Sequence, residues 1–453
     1  MPTGFRETKM KLLKAITFLT IVSALLSAGC AKSNPQITRS EVNKNNLNSQ
    51  ALRISAPGAD AAEPAAASAP DNSVYVVWVE HGADKNADVF FQKLNEQGKA
   101  VGEKARVNSE AGAATAWRGD PPTIAVGADG KIFVGWTARV NAPEGSNNDL
   151  VVSVSRDGGR SFDAPVKVND DKLPAVHGMH SLAVDKNGSV YMAWLDDRYL
   201  HQDAPKPKPE MPEMSEMSEP PVEPKADSQN GNHAAHQHSE ANREVYFAVS
   251  KDGGKSFSPN KKLASDVCPC CKTSLIVAPD GEVYTSWRQV LPGNFRHIAV
   301  AASIDNGATF GPATIVSDDR WQIAGCPVSG ASLAIDANNA LNVVWFSAGD
   351  AGKTGIYRAE SVDGGKTFSP RVLMSEGAAF GTQTLLADEA KNLEAVWSAG
   401  GTVITGKLKN AAPISEIGAG ELPSAALAGK NIIVAFIHKE NDKRAVWISP
   451  VRQ

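Results

Sequence analysis

From about residue 71 onward, apolar and polar positions alternate in short runs rich in valine, isoleucine and aromatic residues. A period of two over such runs predicts strands with one face buried, and no stretch of this region sustains a helical period. Four runs share one plan, "IAVGADGKIFVGW", "LAVDKNGSVYMAW", "LIVAPDGEVYTSW" and "LAIDANNALNVVW". Each is a strand, a tight Asp-Gly or Asn-rich turn and a second strand ending in tryptophan. Diverged copies end at Trp78, Trp397 and Phe436, making seven units. A second hairpin follows each, so a repeat holds four strands, which is the signature of a β-propeller blade. The expected fold is all-β, a ring of seven blades with six as the alternative. The last unit shows three strands, and residues 51–55, "ALRIS", would supply the fourth and close the ring.

The second hairpins repeat a motif: "SRDGGRSF" from Ser155, "SKDGGKSF" from Ser250, "SIDNGATF" from Ser303 and "SVDGGKTF" from Ser361. This pattern resembles the Asp-box of sialidases and related BNR-repeat proteins. The resemblance implies that Asp157, Asp252, Asp305 and Asp363 tie a turn rather than perform chemistry. It also implies an exo-α-sialidase or related glycoside hydrolase as one reading of function. Such enzymes hold the substrate carboxylate with three arginines and use a tyrosine nucleophile with an aspartate acid–base. Arg118, Asp120, Arg198, Arg288 and Arg296 are the ligand-binding candidates. The Phe/Tyr-Arg-Ile-Pro motif of that family is absent, and Tyr199 is the one tyrosine placed in a loop on the relevant face. No catalytic set is assigned.

Blade topology sends the Asp-boxes and tight hairpins to one face. The linkers between blades and the loops between second and third strands go to the other. The unusual chemistry falls in the second class. Cys268 and Cys326 lie as far apart as Trp287 and Trp345, so "CPCCKTSL" and "CPVSGASL" are equivalent linkers into adjacent blades. His177, in "VHGMHSL", is in register with Cys270. Cys268, Cys270, Cys271 and Cys326, with His177 or His180, make either inter-blade disulfides or a soft-metal site. The first two boxes stand much further apart than the rest, owing to an insertion at 201–242 with "PEMPEMSEMSEPP" and "NHAAHQHSE". Its Met211, Met214, Met217, His233, His236 and His238 suit copper better than hard cations, with zinc as the alternative. The tract is similar to those of periplasmic copper-handling proteins.

Ahead of the repeats, Lys9, Lys11 and Lys14 precede an apolar run that ends in "SAGC" at Cys30. That run is shorter than the ~20 residues a spanning helix needs, and its flanks are those of a secretory signal. The Cys30 context resembles a lipoprotein cleavage site. The expected organisation is a signal at 1–30, a flexible tether at 31–70 and the propeller at 71–453. The resulting expectation is a monomeric envelope lipoprotein, anchored to membrane at Cys30, on the periplasmic side of the outer membrane or at the cell surface. A net charge of −4 without any basic block argues against nucleic acid. A metal-receiving protein or a glycan is the expected partner. The leading reading is a non-catalytic, soft-metal-binding propeller. The alternatives are a glycosidase and a protein-interaction scaffold stapled by disulfides.

Overall fold

A computed structural model describes residues 50–82, 86–115, 119–140, 147–172, 174–201, 241–323, 325, 327–377, 381, 383–408 and 415–452. Among the described residues no helix is long and apolar enough to cross a membrane. The regular structure is antiparallel strand throughout, save one 3₁₀ turn at Arg198–His201.

The strands form seven four-stranded blades, spanning 60–106, 123–167, 177–267, 274–315, 331–376, 384–419 and 421–452. Blades 3 and 4 are joined edge to edge by one pairing, Val267 with Gln289. In blade 7 the fourth strand is Leu52–Arg53, which pairs with Ile448 and Trp447. The two ends of the ring are thus held by ladder hydrogen bonds and an Arg53–Glu440 ion pair. The first strand of each blade packs against the first strands of both neighbours, from Asp60–Ser68 round to Glu421–Ala428 and back. That closed sequence of contacts is a seven-bladed propeller with the first strands around a central channel.

Packing between blades accounts for the repeated second-strand aromatics. Trp78, Trp194, Trp287, Trp345 and Trp397 are fully buried. Trp194 sits in one core with Phe133, Leu150 and Val152 of blade 2. Trp78 shares another with Ile433, Val446 and Ile448 of blade 7. A buried side chain of this size is worth about 1.5–3 kcal/mol or more in apolar transfer, so the tryptophans are scaffold.

The Asp-boxes are scaffold as well. Ser250 Oγ donates to Asp252 Oδ1 at 2.7 Å and accepts from the Gly254 amide at 2.8 Å. Asp252 also accepts from the Lys255 and Ser256 amides and from Ser256 Oγ. The same bonds recur at Asp157, Asp305 and Asp363. These donors hold each carboxyl down at about 2. The second box glycine lies against the preceding blade, where a Cβ on Gly159 would meet Phe91 at 2.0 Å.

Candidate functional site

A channel cavity lies where the linkers turn into the first strands. In six blades one residue at this turn has a left-handed backbone: Glu63, Gly119, Met179, Val328, Gly381 and Leu422. All six line a channel cavity of about 270 Å³. Four are not glycine, and each such conformation costs about 1–3 kcal/mol, sustained only by its surroundings. At Met179, for example, the amide donates to Asp120 Oδ1 at 2.7 Å and the carbonyl accepts from the Thr273 amide at 2.9 Å. Blade 4 breaks the series. Its linker has no left-handed residue and presents Cys270 and Lys272 to the cavity instead.

Behind that wall the sulfurs converge. Cys268, Cys270 and Cys271 are buried, with Cys268 Sγ 3.5 Å from Cys271 Sγ and 3.8 Å from Cys270 Sγ. Cys268 and Cys271 are free thiols. Cys270 is disulfide-bonded to a cysteine outside the described residues. Cys326, Cys30, Arg118, Met211, Met214, Met217, His233, His236 and His238 also lie outside the described residues.

Two arginines from blade 4 enclose the thiols. Arg296 Nη1 donates to Cys268 Sγ at 3.0 Å. Arg288 is fully buried, stacks over Trp321 at 4.7 Å and donates to the carbonyls of Ser329 and Phe346. The Cys271 hydrogen bond, opposed by burial and reinforced by both guanidinium groups, pulls the Cys268 thiol down to about 6. Burial and the neighbouring Cys268 push Cys271 the other way. Since Arg296 already donates to Cys268, the shared proton belongs on Cys271. These influences favour the thiolate at Cys268 and the thiol at Cys271.

Met179 was not among the sequence candidates. It is buried in the same core cluster as the three cysteines. The available signal was its place in "VHGMHSL", one linker away from "CPCC".

The histidines are elsewhere. His177 Nδ1 bonds the Asn148 carbonyl at 2.6 Å, and Nε2 faces Asp171 at 3.1 Å and Asp196 at 3.4 Å. With both nitrogens engaged, it is not available to the thiols. The group of Asp171, His177 and Asp196 has metal-like spacing. Its charge is already met, because Arg198 holds Asp196 through Nε at 3.0 Å and Nη2 at 2.8 Å. Arg198 also bonds Asp170 and Asn260 and lies over Tyr246. His180 has no hydrogen-bond partner at either ring nitrogen among the described residues, and its Nδ1 is 3.7 Å from Asp120.

Of the arginines expected to form an anion site, the three described ones, Arg198, Arg288 and Arg296, are engaged by protein groups. Arg198 closes the junction of blades 2 and 3, Arg288 is spent on carbonyls, and Arg296 faces sulfur. Tyr199 donates to the Asn242 carbonyl.

No protein-family model matches the chain, and no curated protein matches it by sequence. Solved structures with a similar chain path include a protein of unknown function from Dyadobacter fermentans DSM 18053, 13% identical over 91% of this chain and 100% of that one, TM-score 0.49. The Hadza microbial sialidase Hz136 is 11% identical over 84% of this chain and 76% of that one, TM-score 0.47. The Penicillium chrysogenum α-L-arabinanase is 12% identical over 86% and 93%, TM-score 0.45. The latter two are sialidase-like β-propellers in overall architecture. At scores below one half, these likenesses bear no argument about what this chain does.

Proposed function

We propose that this chain binds a soft metal ion, monovalent copper above all, through the sulfurs of the 268–271 linker. The observation behind this reading is the convergence of three buried Sγ atoms within 4.8 Å of one another, with Cys268 at 3.5 Å from Cys271 and 3.8 Å from Cys270. Thiolates held ~2.3 Å from a metal in a tetrahedral shell stand about 3.8 Å apart. Cys268 and Cys271 supply two ligands. Reducing the disulfide at Cys270 adds a third, and Met179 is the thioether neighbour. An all-sulfur, water-poor shell favours copper(I), with zinc as competitor. Arg296 and Arg288 offset the negative charge that thiolates bring to a buried place. Cys270 faces the channel, which gives the ion a path in.

The same reading makes the chain an envelope lipoprotein anchored at Cys30. Its 201–242 segment would gather copper, and a receiving protein would take it. The glycosidase reading is less favoured, because Arg198, Arg288 and Arg296 are committed to protein partners.

Copper(I) titration of the anaerobically reduced full chain against a competing chelator tests this. One tightly held ion is expected, lost in the Cys268→Ser, Cys271→Ser double variant. A reduced chain that fails to compete would end the reading.

A further inference from the structure

The sulfur cluster holds a disulfide and two free thiols in contact, an arrangement that metal binding does not explain. Cys270 carries the disulfide, and Cys268 and Cys271 are the free pair. Cys268 Sγ contacts both of the others, at 3.8 Å from Cys270 Sγ and 3.5 Å from Cys271 Sγ. All three sulfurs lie within 4.8 Å of one another. A thiol so placed already touches the sulfur it would attack and needs only a small displacement to bond with it.

The fold keeps that attack local. At one end of the linker the Cys268 amide donates to the Arg288 carbonyl at 2.9 Å. At the other end the Thr273 amide donates to the Met179 carbonyl at 2.9 Å, and the Thr273 hydroxyl bonds the Met179 and Ala193 carbonyls at 3.0 Å. Pinned at both ends, the linker holds its sulfurs at high effective concentration. Cys268 and Cys271 are fully buried, so thiols in solution do not compete with them. Arg296 Nη1 contacts Cys268 Sγ at 3.0 Å and sets a positive charge beside it, and the attacking form of a thiol is the thiolate. Of the three cysteines, Cys270 is the one in the lining of the channel cavity.

We propose that the 268–271 linker is a thiol–disulfide exchange site, in which the free pair and the Cys270 disulfide trade places. Cys268 attacks Cys270 Sγ, forming a 268–270 disulfide and expelling the former partner of Cys270 as a thiolate. That partner is Cys30 or Cys326, the two cysteines outside the described residues. Cys271 then attacks Cys268, forming the 268–271 disulfide and releasing Cys270 as a thiolate. Overall one S–S bond breaks and one forms. Two electrons pass from Cys268 and Cys271 to Cys270 and its former partner, and two protons follow them. No outside oxidant or reductant is consumed. Bonds of the same kind are made and broken, so local geometry sets the balance and both registers are accessible. The exchange moves a free thiol from the buried side of the wall to the channel. It takes place without metal and does not depend on the copper reading.

The metal-free, disulfide-containing full chain, kept folded in N-ethylmaleimide, then acid-quenched, digested and mapped by mass spectrometry, tests the proposal. The expected product carries a maleimide on Cys270, with Cys268 and Cys271 joined. Cys271→Ser should stop the exchange after its first step. The label then moves to the leaving cysteine, and labelling of Cys270 falls by roughly tenfold or more. The Cys268→Ser, Cys271→Ser double variant should leave Cys270 unlabelled. Melting temperatures taken before labelling confirm that each variant folds. Three results would overturn the proposal: a wild-type Cys270 still bonded to its original partner, label on Cys268 and Cys271 instead, or a double variant labelled at Cys270 as fast as wild type. A chain that exchanges its disulfide yet fails to hold copper(I) would sink only the copper reading.

Discussion

The linkers into blades 3 and 4 occupy equivalent places in the ring, yet one is built from ions and the other from sulfur. His177 stands as far ahead of Trp194 as Cys270 stands ahead of Trp287. At His177 every charge has a partner: Asp171, Asp196, Arg198, Asp170 and Asn260 form one closed network. At Cys270 two thiols face each other beneath two arginines, with no carboxylate ion-paired to either guanidinium among the described residues. The first arrangement is complete and can only hold blades together. The second keeps donor capacity that protein groups do not use, which is what a site for something else requires. The backbone agrees: the left-handed residue found in the other six linkers is missing where the cysteines are.

The sharpest way to break this contrast is to exchange the effects of substitution. The Cys268→Ser, Cys271→Ser double variant should lower copper(I) affinity by at least about a hundredfold, as expected for loss of two thiolate ligands. Its melting temperature should change little. His177→Ala should do the reverse. Copper affinity should persist, while stability falls by about 2 kcal/mol, because two buried carboxylates lose one hydrogen-bonding partner while Arg198 remains. Denaturant unfolding and chelator competition on both variants read the two axes. Copper affinity that follows His177 would merge the two sites and sink the comparison.

Titration gives a gentler test. Burial opposes charge on His177, but Asp171 and Asp196 outweigh it and raise the imidazole above its ordinary 6.5. Burial also opposes charge on Asp171, and His177 and Arg198 reverse that, holding the carboxyl below its ordinary 3.8. The histidine term is fully present below 6.5 and is lost as pH rises through the folded value. The aspartate term is present above 3.8 and is lost as pH falls through the folded value. The wild type should therefore gain most over His177→Asn between about pH 4 and 6.5. A stability difference that stays flat with pH would show that the imidazole is neutral.

Two smaller effects sharpen the sulfur side and the scaffold. Arg296→Gln should raise the midpoint of Cys268 ionisation above about 6, read from thiolate ultraviolet absorbance in the metal-free chain. An unmoved midpoint would mean that Cys271 alone sets it. Asp252→Ala should lower the melting temperature slightly and leave copper binding unchanged, since the box ties a turn on the opposite end of the blade. Any loss of ligand there would contradict its scaffold role.

Much of this molecule was legible in the chain itself. Period-two alternation, the turn pairs and the tryptophan spacing specify four-stranded repeats, because each is a local preference repeated seven times. The four boxes could be read for the same reason: their hydrogen bonds run within five or six residues of sequence. Even the gathering of "CPCC" at the channel follows from blade order. What tertiary structure alone decided was the partner of each polar side chain. His177 and His180 look alike in "VHGMHSL", yet one lies in a closed ion network and the other lacks any hydrogen-bond partner among the described residues. Arg198, Arg288 and Arg296, read as part of an anion site, serve carboxylates, carbonyls and sulfur, and Met179 acquired its significance from the channel wall. Several of these pairings join residues tens of positions apart on strands of adjacent blades, as His177 with Asn148 and Arg288 with Phe346. Their energy depends on burial and on which charges face one another, and neither quantity is encoded in any short stretch of sequence.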